Sequence, residues 1–256
     1  MQIDLNSDLG EGYGAWLSGD DEGILKVVSS ANLACGGHAA DPLTMLKTLR
    51  LAKSAKANIG AQVSYPDILG FGRRDMIIEK EELFAHLVSQ CASLSALAKY
   101  TGSKVSYIKP HGALYHAISK NEEHLKALMD TALLFNLPLL LLANSPALKK
   151  AQEKGITVYA EAFADRAYQK DGSLVPRSFE GSVIHDLELV CARMIRLVQK
   201  QEIESLTGEL IKISAQSLCL HSDTKGALAL AVTLKKALEG ANCKIQAFIK
   251  EENGRK

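Results

Sequence analysis

The sequence has no paired cysteines. Its five, Cys35, Cys91, Cys191, Cys219 and Cys243, stand singly, without a C-x-x-C spacing and in odd number. That argues against a disulfide framework and for a reducing compartment. The opening stretch MQIDLNSDLGEG lacks a cationic segment followed by an apolar run, so no secretory signal is read there. The longest apolar run, Leu137 to Ala143, is too short to cross a bilayer. A cytoplasmic location is expected. Charge of one sign is also missing: 30 Lys and Arg stand against 29 Asp and Glu, a net of +1. This leaves no electrostatic case for nucleic acid or an anionic membrane. No linker, low-complexity tract or charge block divides the chain. Its 256 residues, 47% hydrophobic and 23% charged, are therefore read as one domain over residues 1–250 and a polar tail over 251–256. A chain of this length buries roughly three-quarters of its unfolded surface.

What recurs is a short strand-like run, a polar loop and a helix-like run. Strands are expected near Gln2–Asn6, Ala31–Cys35, Ile59–Val63, Val105–Lys109, Leu137–Ala143, Val158–Phe163 and Ser217–Leu220. Asp41-Pro42 signals a helix start, with Leu43, Leu46, Leu49 and Leu51 opening an apolar stripe. Glu79–Lys99 has an acidic first turn and Leu83, Leu87, Leu94 and Leu97 along one face. Further helices are expected over Ser119–Phe135, Ser145–Lys154, Asp186–Gln199 and Lys225–Leu238. Alternation of this kind implies right-handed crossovers and a parallel sheet. Seven units suffice for a barrel; a doubly wound open sheet is the alternative.

In either architecture the working face lies at the carboxyl ends of the strands. The residues there are rich in chemistry: Asn6, Asp8 and Glu11; Cys35 and His38; Gln62, Tyr65 and Asp67; Lys109 and His111; Glu161, Asp165 and Arg166; His221 and Asp223. Three of the seven histidines fall at these ends. Each has a plainer reading. Asp8 sits near three glycines and can cap a turn. His111 can satisfy a loop carbonyl, and Cys35 reads best as a small buried hydrophobe. His86, His116, His124 and His185 lie on helical stretches and read as surface residues. Arg73 and Arg74, beside Gly70 and Gly72, can bind an anion or merely brace a loop.

Seven segments, in order, together resemble the LamB/YcsF family, the A subunits of bacterial 5-oxoprolinase. They are Asp4 to Glu11, Asn32 to His38, Ser64 to Asp67 with Gly70 to Arg74, Lys109 to Tyr115, Phe163 to Tyr168, Pro176 to Ser178, and Leu218 to Asp223. The resemblance implies a (β/α)7-type barrel related to the glycoside hydrolase/deacetylase superfamily. It also implies ATP-dependent opening of 5-oxo-L-proline to L-glutamate, with ATP and magnesium, alongside subunits B and C. The sequence departs from the family pattern at Ser7 (usually Cys), Gly37 (usually Phe), Ala40 (usually Gly) and Gln62-Val63 (usually His-Pro). In the related deacetylases an aspartate and two histidines hold a divalent metal. Asp8, His38 and position 62 are the nearest counterparts, and an amide at 62 is a poor transition-metal ligand, so no metal is assigned.

Opening a lactam is slow and uphill at neutral pH, and ATP can drive it by making the lactam oxygen a leaving group. No G-x-x-x-x-G-K-[ST] loop is present to hold that ATP. Asp8 or Glu11 is the expected general base, with His111 as acid/base partner. Lys109, Arg166, Arg73 and Arg74 are assigned to anionic substrate groups. His38 and His221 would orient the reacting group, and Asn6, Tyr65 and Asp165 complete the binding set. The rival readings are a metal-dependent deacetylase or amidohydrolase, and a non-catalytic sensor of a small molecule.

Overall fold

The alternation Asp4-Leu5-Asn6-Ser7-Asp8 runs on as one strand, β1 (Gln2–Leu9), three residues longer than the sequence suggested. Asp8 is therefore a strand residue, and the turn-cap reading falls. After it, each paired with the one before, come β2 (Ser30–Ala34), β3 (Asn58–Val63), β4 (Val105–Pro110), β5 (Leu139–Leu142) and β6 (Val158–Phe163). A small hairpin, β7 (Glu202–Glu204) with β8 (Leu210–Lys212), precedes β9 (Ser217–Leu220). All barrel pairings are parallel, and β9 joins β6 on one side and β1 on the other. Seven strands thus close into a barrel, which decides against the open sheet. The two-residue β10 (Lys244–Ile245) adds to β1 at the amino-terminal rim. The computed structural model describes residues 1–220 and 226–249. His221, Asp223 and the tail expected over 251–256 lie outside the described residues.

The helices are α1 (Asp21–Leu25), α2 (Pro42–Ala55), α3 (Lys80–Thr101), α4 (Gly112–Ala117), α5 (Glu122–Phe135), α6 (Pro146–Glu153), α7 (Leu187–Lys200) and α8 (Ala227–Gly240). Asp41 caps α2 through the amides of Leu43 and Thr44, with Pro42 at its first position, as its sequence indicates. Its buried stripe, however, is Met45, Thr48, Leu49 and Ala52; Leu43 is exposed. The stretch read as one helix from Ser119 begins instead at Glu122, because the Asn121 side chain accepts from Glu123 and His124 amides. No helix among the described residues is long and apolar enough to cross a membrane.

The β1 alternation decides the barrel's character. Leu5 and Leu9 are buried in the apolar core, while Asp4, Asn6 and Asp8 hydrogen-bond with side chains of the flanking strands β2 and β9, and Asp8 with Lys109 of β4. Barrels of this kind usually fill their interior with branched aliphatic side chains. Here Asn32, Tyr107, Lys109, Glu161 and Ser217 fill it with polar groups, all buried. Gly60 makes room for this: a Cβ there would come within 2.2 Å of the Tyr107 ring, whose hydroxyl donates to Asn32 Oδ1 at 2.6 Å.

Candidate active site

The Lys109 ammonium sits at the centre of that interior, 3.1 Å from Asp8 Oδ1, 3.1 Å from Glu161 Oε2 and 3.2 Å from Asn6 Oδ1. Burial alone would depress an ammonium, but Asp8 and then the other groups around it hold it well above the usual lysine value. Glu161 is pushed up by burial, against Lys109 and the Tyr115 hydroxyl at 2.8 Å. Beneath them Asp4, raised to about 6 by burial, accepts from Ser29, Ser30 and Ser217. Lys109 is thus a fixed cation that holds Asp8 in place.

Above it, toward the mouth, Glu11 Oε1 faces His38 Nε2 at 3.3 Å, Gln62 Nε2 at 3.0 Å and His111 Nδ1 at 3.5 Å. The Gln62 amide also meets His111 Nδ1 at 2.9 Å, and His111 Nε2 meets the Phe71 carbonyl at 3.1 Å. An amide N–H can only donate. In this arrangement His111 Nδ1 therefore accepts from Gln62, and Nε2 carries the proton that Phe71 accepts. His38 and His111 stack with ring centroids 3.8 Å apart and planes 12° apart. Burial brings His38 down to about 3, and burial and then His38 lower His111, so both rings are neutral near pH 7. Phe71 meets both rings edge-on. It lies beside Gly72, whose φ is 64° and where a Cβ would come within 2.8 Å of His38 Cβ.

A cavity of about 1140 Å³ opens at this mouth. Asp8, Lys109 and His111 line it, whereas Glu11, His38 and Gln62 stand behind them. Asp8 Oδ2 is 3.7 Å from His111 Nδ1. Tyr65 lines the cavity too, its hydroxyl 2.7 Å from His124 Nδ1. His124 is buried, not the surface residue its helical setting suggested. Arg73 and Arg166 reach the cavity, and Arg166 also donates to the carbonyls of Ser182 and Val175. Asp165 is buried beside Arg166, its carbonyl accepting from Ile184, and does not line the cavity. Arg74 pairs with the buried Asp67 carboxylate and likewise stays out of it. Cys35 is the inert thiol expected, buried with Sγ 3.2 Å from the Gln62 carbonyl and its pKa pushed well up by burial.

The two arginines should therefore separate by assay. Arg74→Ala should lower thermal stability and leave substrate affinity intact. Arg73→Ala should weaken binding of an anionic substrate roughly ten- to hundredfold, as for loss of a hydrogen bond to a charged group. Calorimetric melting and titration of each variant check this; unchanged affinity in both would leave only a bracing role.

The ligand atoms of Glu11, His38 and His111 all lie within 4.8 Å of one another, a set different from Asp8, His38 and position 62. These residues as arranged do not fit a metal. An ion about 2.1 Å from an imidazole nitrogen sits near that ring's plane. Two stacked rings share no such point, and the Gln62 N–H donor stands between Glu11 and His111. Accordingly, elemental analysis of purified protein should find well under one equivalent of zinc; a stoichiometric, tightly held ion would overturn this reading.

A closed barrel with a carboxylate and an imidazole facing one cavity, backed by a buried cation, defines a hydrolase-type site on a (β/α)7 frame. The LamB/YcsF family model matches residues 3–253, and the chain belongs to that family. It is 48% identical to the 5-oxoprolinase A subunit of Acinetobacter baylyi over 97% of this chain and 98% of the relative. Among solved structures it is similar to the lactam utilization protein from Thermus thermophilus, with TM-score 0.93, 40% identity, and coverage of 97% of this chain and 100% of that one. A family 4 carbohydrate esterase from Streptomyces lividans shares the fold alone, with TM-score 0.51, 10% identity, and coverage of 99% of this chain and 95% of that one.

The departures from the family pattern have local explanations except at Ala40, which nothing in the structure explains. Ser7 Oγ donates to the Leu220 carbonyl at 2.7 Å, a stronger bond than a thiol makes. A side chain at Gly37 would collide with Gln90 Oε1 at 2.4 Å, so Gln90 fills that space instead. Ala40 has φ of 68°, the left-handed region that favours the family's usual glycine. Gln62 bridges Glu11 and His111, and its fully buried Oε1 finds no hydrogen-bond partner among the described residues.

Proposed function

We propose that this chain is a subunit of a 5-oxoprolinase, opening the lactam of 5-oxo-L-proline to L-glutamate with ATP hydrolysis. The observation that carries the reading is near-half identity over almost the full length of both this chain and a relative of that name. The site chemistry supports it. Asp8, held by Lys109 and Asn32, is the general base toward water, because it faces the cavity and Glu11 does not. Asp8 takes the water proton and hands it to neutral His111 at Nδ1, 3.7 Å from Asp8 Oδ2; Nδ1 gives up its hydrogen bond from Gln62 to receive it and passes it to the departing ring nitrogen. Glu11, His38 and Gln62 fix the His111 ring. ATP with magnesium is the co-substrate this reading implies, and subunits B and C are the partners. Magnesium prefers oxygen ligands and arrives on nucleotide phosphates, so it requires nothing of the histidines.

The purified chain alone should show little 5-oxoproline-dependent ATPase activity, and mixing with candidate B and C subunits should restore coupled turnover. Glutamate and phosphate release, measured with and without each partner, tests this. Robust coupled turnover by the single chain would remove the partner requirement. Absence of turnover in the full mixture would overturn the reading itself.

A further inference from the structure

The cavity is not filled by the site just described. At about 1140 Å³ it exceeds the roughly 300–1,000 Å³ usual for drug-sized ligands, and a small cyclic amino acid needs far less. Beyond Asp8, Lys109 and His111 its walls carry four permanent cations: Arg73, Lys120, Arg166 and Arg177. Among the described residues the carboxylates lining that part are Asp75 and Asp171, which leaves two positive charges in excess among the described lining residues. The cations come from three separate connections between elements. Arg73 lies between β3 and α3, Lys120 between α4 and α5, and Arg166 and Arg177 on the long segment between β6 and α7.

These groups act on one another. Burial and then Arg177 hold Arg166 below its ordinary value, with Arg73 contributing and Asp165 opposing. His116, which also lines the cavity, is lowered by burial and then by Arg166, Lys120 and Arg177, against Asp75. Like charges gathered in a partly desolvated concavity repel, and an anion there relieves the repulsion. Arg166 is rigidly aimed, its Nε and Nη2 bound to the carbonyls of Ser182 and Val175, while Arg73 lies over the Phe71 ring at 4.9 Å. A guanidinium held in this way is suited to forked recognition of phosphoryl oxygens.

We propose that the end of the cavity lined by Arg73, Lys120, Arg166 and Arg177 is a subsite for a phosphoryl-type dianion, distinct from the Asp8–His111 centre. Its role in turnover rests on the 5-oxoprolinase reading; its existence does not. A monoanionic carboxylate matches half of the excess charge, whereas a phosphoryl group matches all of it.

The test is calorimetric titration of the full chain with inorganic pyrophosphate, with ATP and magnesium, and with 5-oxoproline. Pyrophosphate should bind, and binding should weaken as salt is raised. Arg177→Gln and Lys120→Gln should each weaken it roughly tenfold or more, with far-ultraviolet circular dichroism confirming the fold. Arg50→Gln, on the exposed face of α2 away from the cavity, should leave pyrophosphate affinity unchanged. Equal affinity for pyrophosphate and ATP means that only phosphoryl oxygens are read; tighter ATP means that the nucleoside is read as well, and either result supports the subsite. Failure of both to bind, or binding indifferent to Arg177 and Lys120, overturns it. So does loss of 5-oxoproline binding in those variants without competition from pyrophosphate, which would make the cluster a carboxylate site. Titration and turnover are separate readouts, so a chain that binds pyrophosphate but supports no 5-oxoprolinase activity sinks only the functional reading.

Discussion

Lys109→Met should be the most destabilising single change in the barrel. The substitution keeps much of the side-chain volume but leaves Asp8 and Glu161 buried without their shared cation. Removing one partner of a buried ion pair costs about 3–5 kcal/mol, which at roughly 2–4 °C per kcal/mol for chains approaching this size lowers the melting temperature by about 6–20 °C. The triple change Lys109→Met, Asp8→Asn, Glu161→Gln should recover part of this loss, because no buried charge is then stranded. Differential scanning calorimetry of the two proteins decides it. A single variant melting within about 2 °C of the parent, the effect of roughly one kcal/mol at this size, would show that Lys109 contributes nothing through its charge.

Turnover should be the property most sensitive to the two groups that face the cavity. Asp8→Asn and His111→Gln should each reduce 5-oxoproline-dependent turnover of the assembled enzyme about 10²–10⁴-fold, the range for loss of a general acid or base. The fold should survive in the His111 variant, whose ring sits at the mouth. The pH dependence has a defined sign. His111 is lowered by burial and by His38, so kcat/KM should hold steady through the ordinary histidine value and decline only below it. Stability should follow His38, which is buried neutral with its pKa at about 3. Its contribution is complete above the unfolded value near 6.5 and is lost as pH falls from there toward 3. His38→Gln should flatten the fall in stability between about pH 6.5 and 5 relative to the parent. A parent and variant with parallel stability curves would refute the assignment.

Much of the frame is legible in the residues. Each of the seven barrel strands lies at or within two or three residues of its expected place, since runs such as Leu139–Leu142 are short, apolar and bounded by turns. Asp41-Pro42 marks a helix start by chemistry that acts over three or four residues. Asp8, Glu11, His38, Lys109 and His111 converge because strand ends of a closed barrel must converge. What stayed hidden is the barrel interior. Alternation of polar and apolar residues ordinarily marks a strand with one face in water, and nothing local says that Asp4, Asn6 and Asp8 face the barrel axis instead. Glu161 is legible as a strand-end carboxylate but not as the partner of Lys109, since only closure of the barrel sets the two together. His124 was misplaced for a similar reason: its partner, the Tyr65 hydroxyl, lies 59 residues away in sequence. The hairpin of Glu202–Glu204 with Leu210–Lys212 is too short for any periodicity to develop.

The polar interior also bears on how such a barrel can change over generations. Asn6 bonds to Glu161 and Ser217, Ser217 to Asp4, Lys109 to Asp8 and Glu161, and Tyr107 to Asn32. Substitutions at groups that share partners in this way are not additive. A replacement harmless in one relative becomes harmful in another whose neighbouring residue differs. Drift along the barrel axis must then proceed by compensated steps, two or three positions moving together, while the outward helices are left to vary one residue at a time.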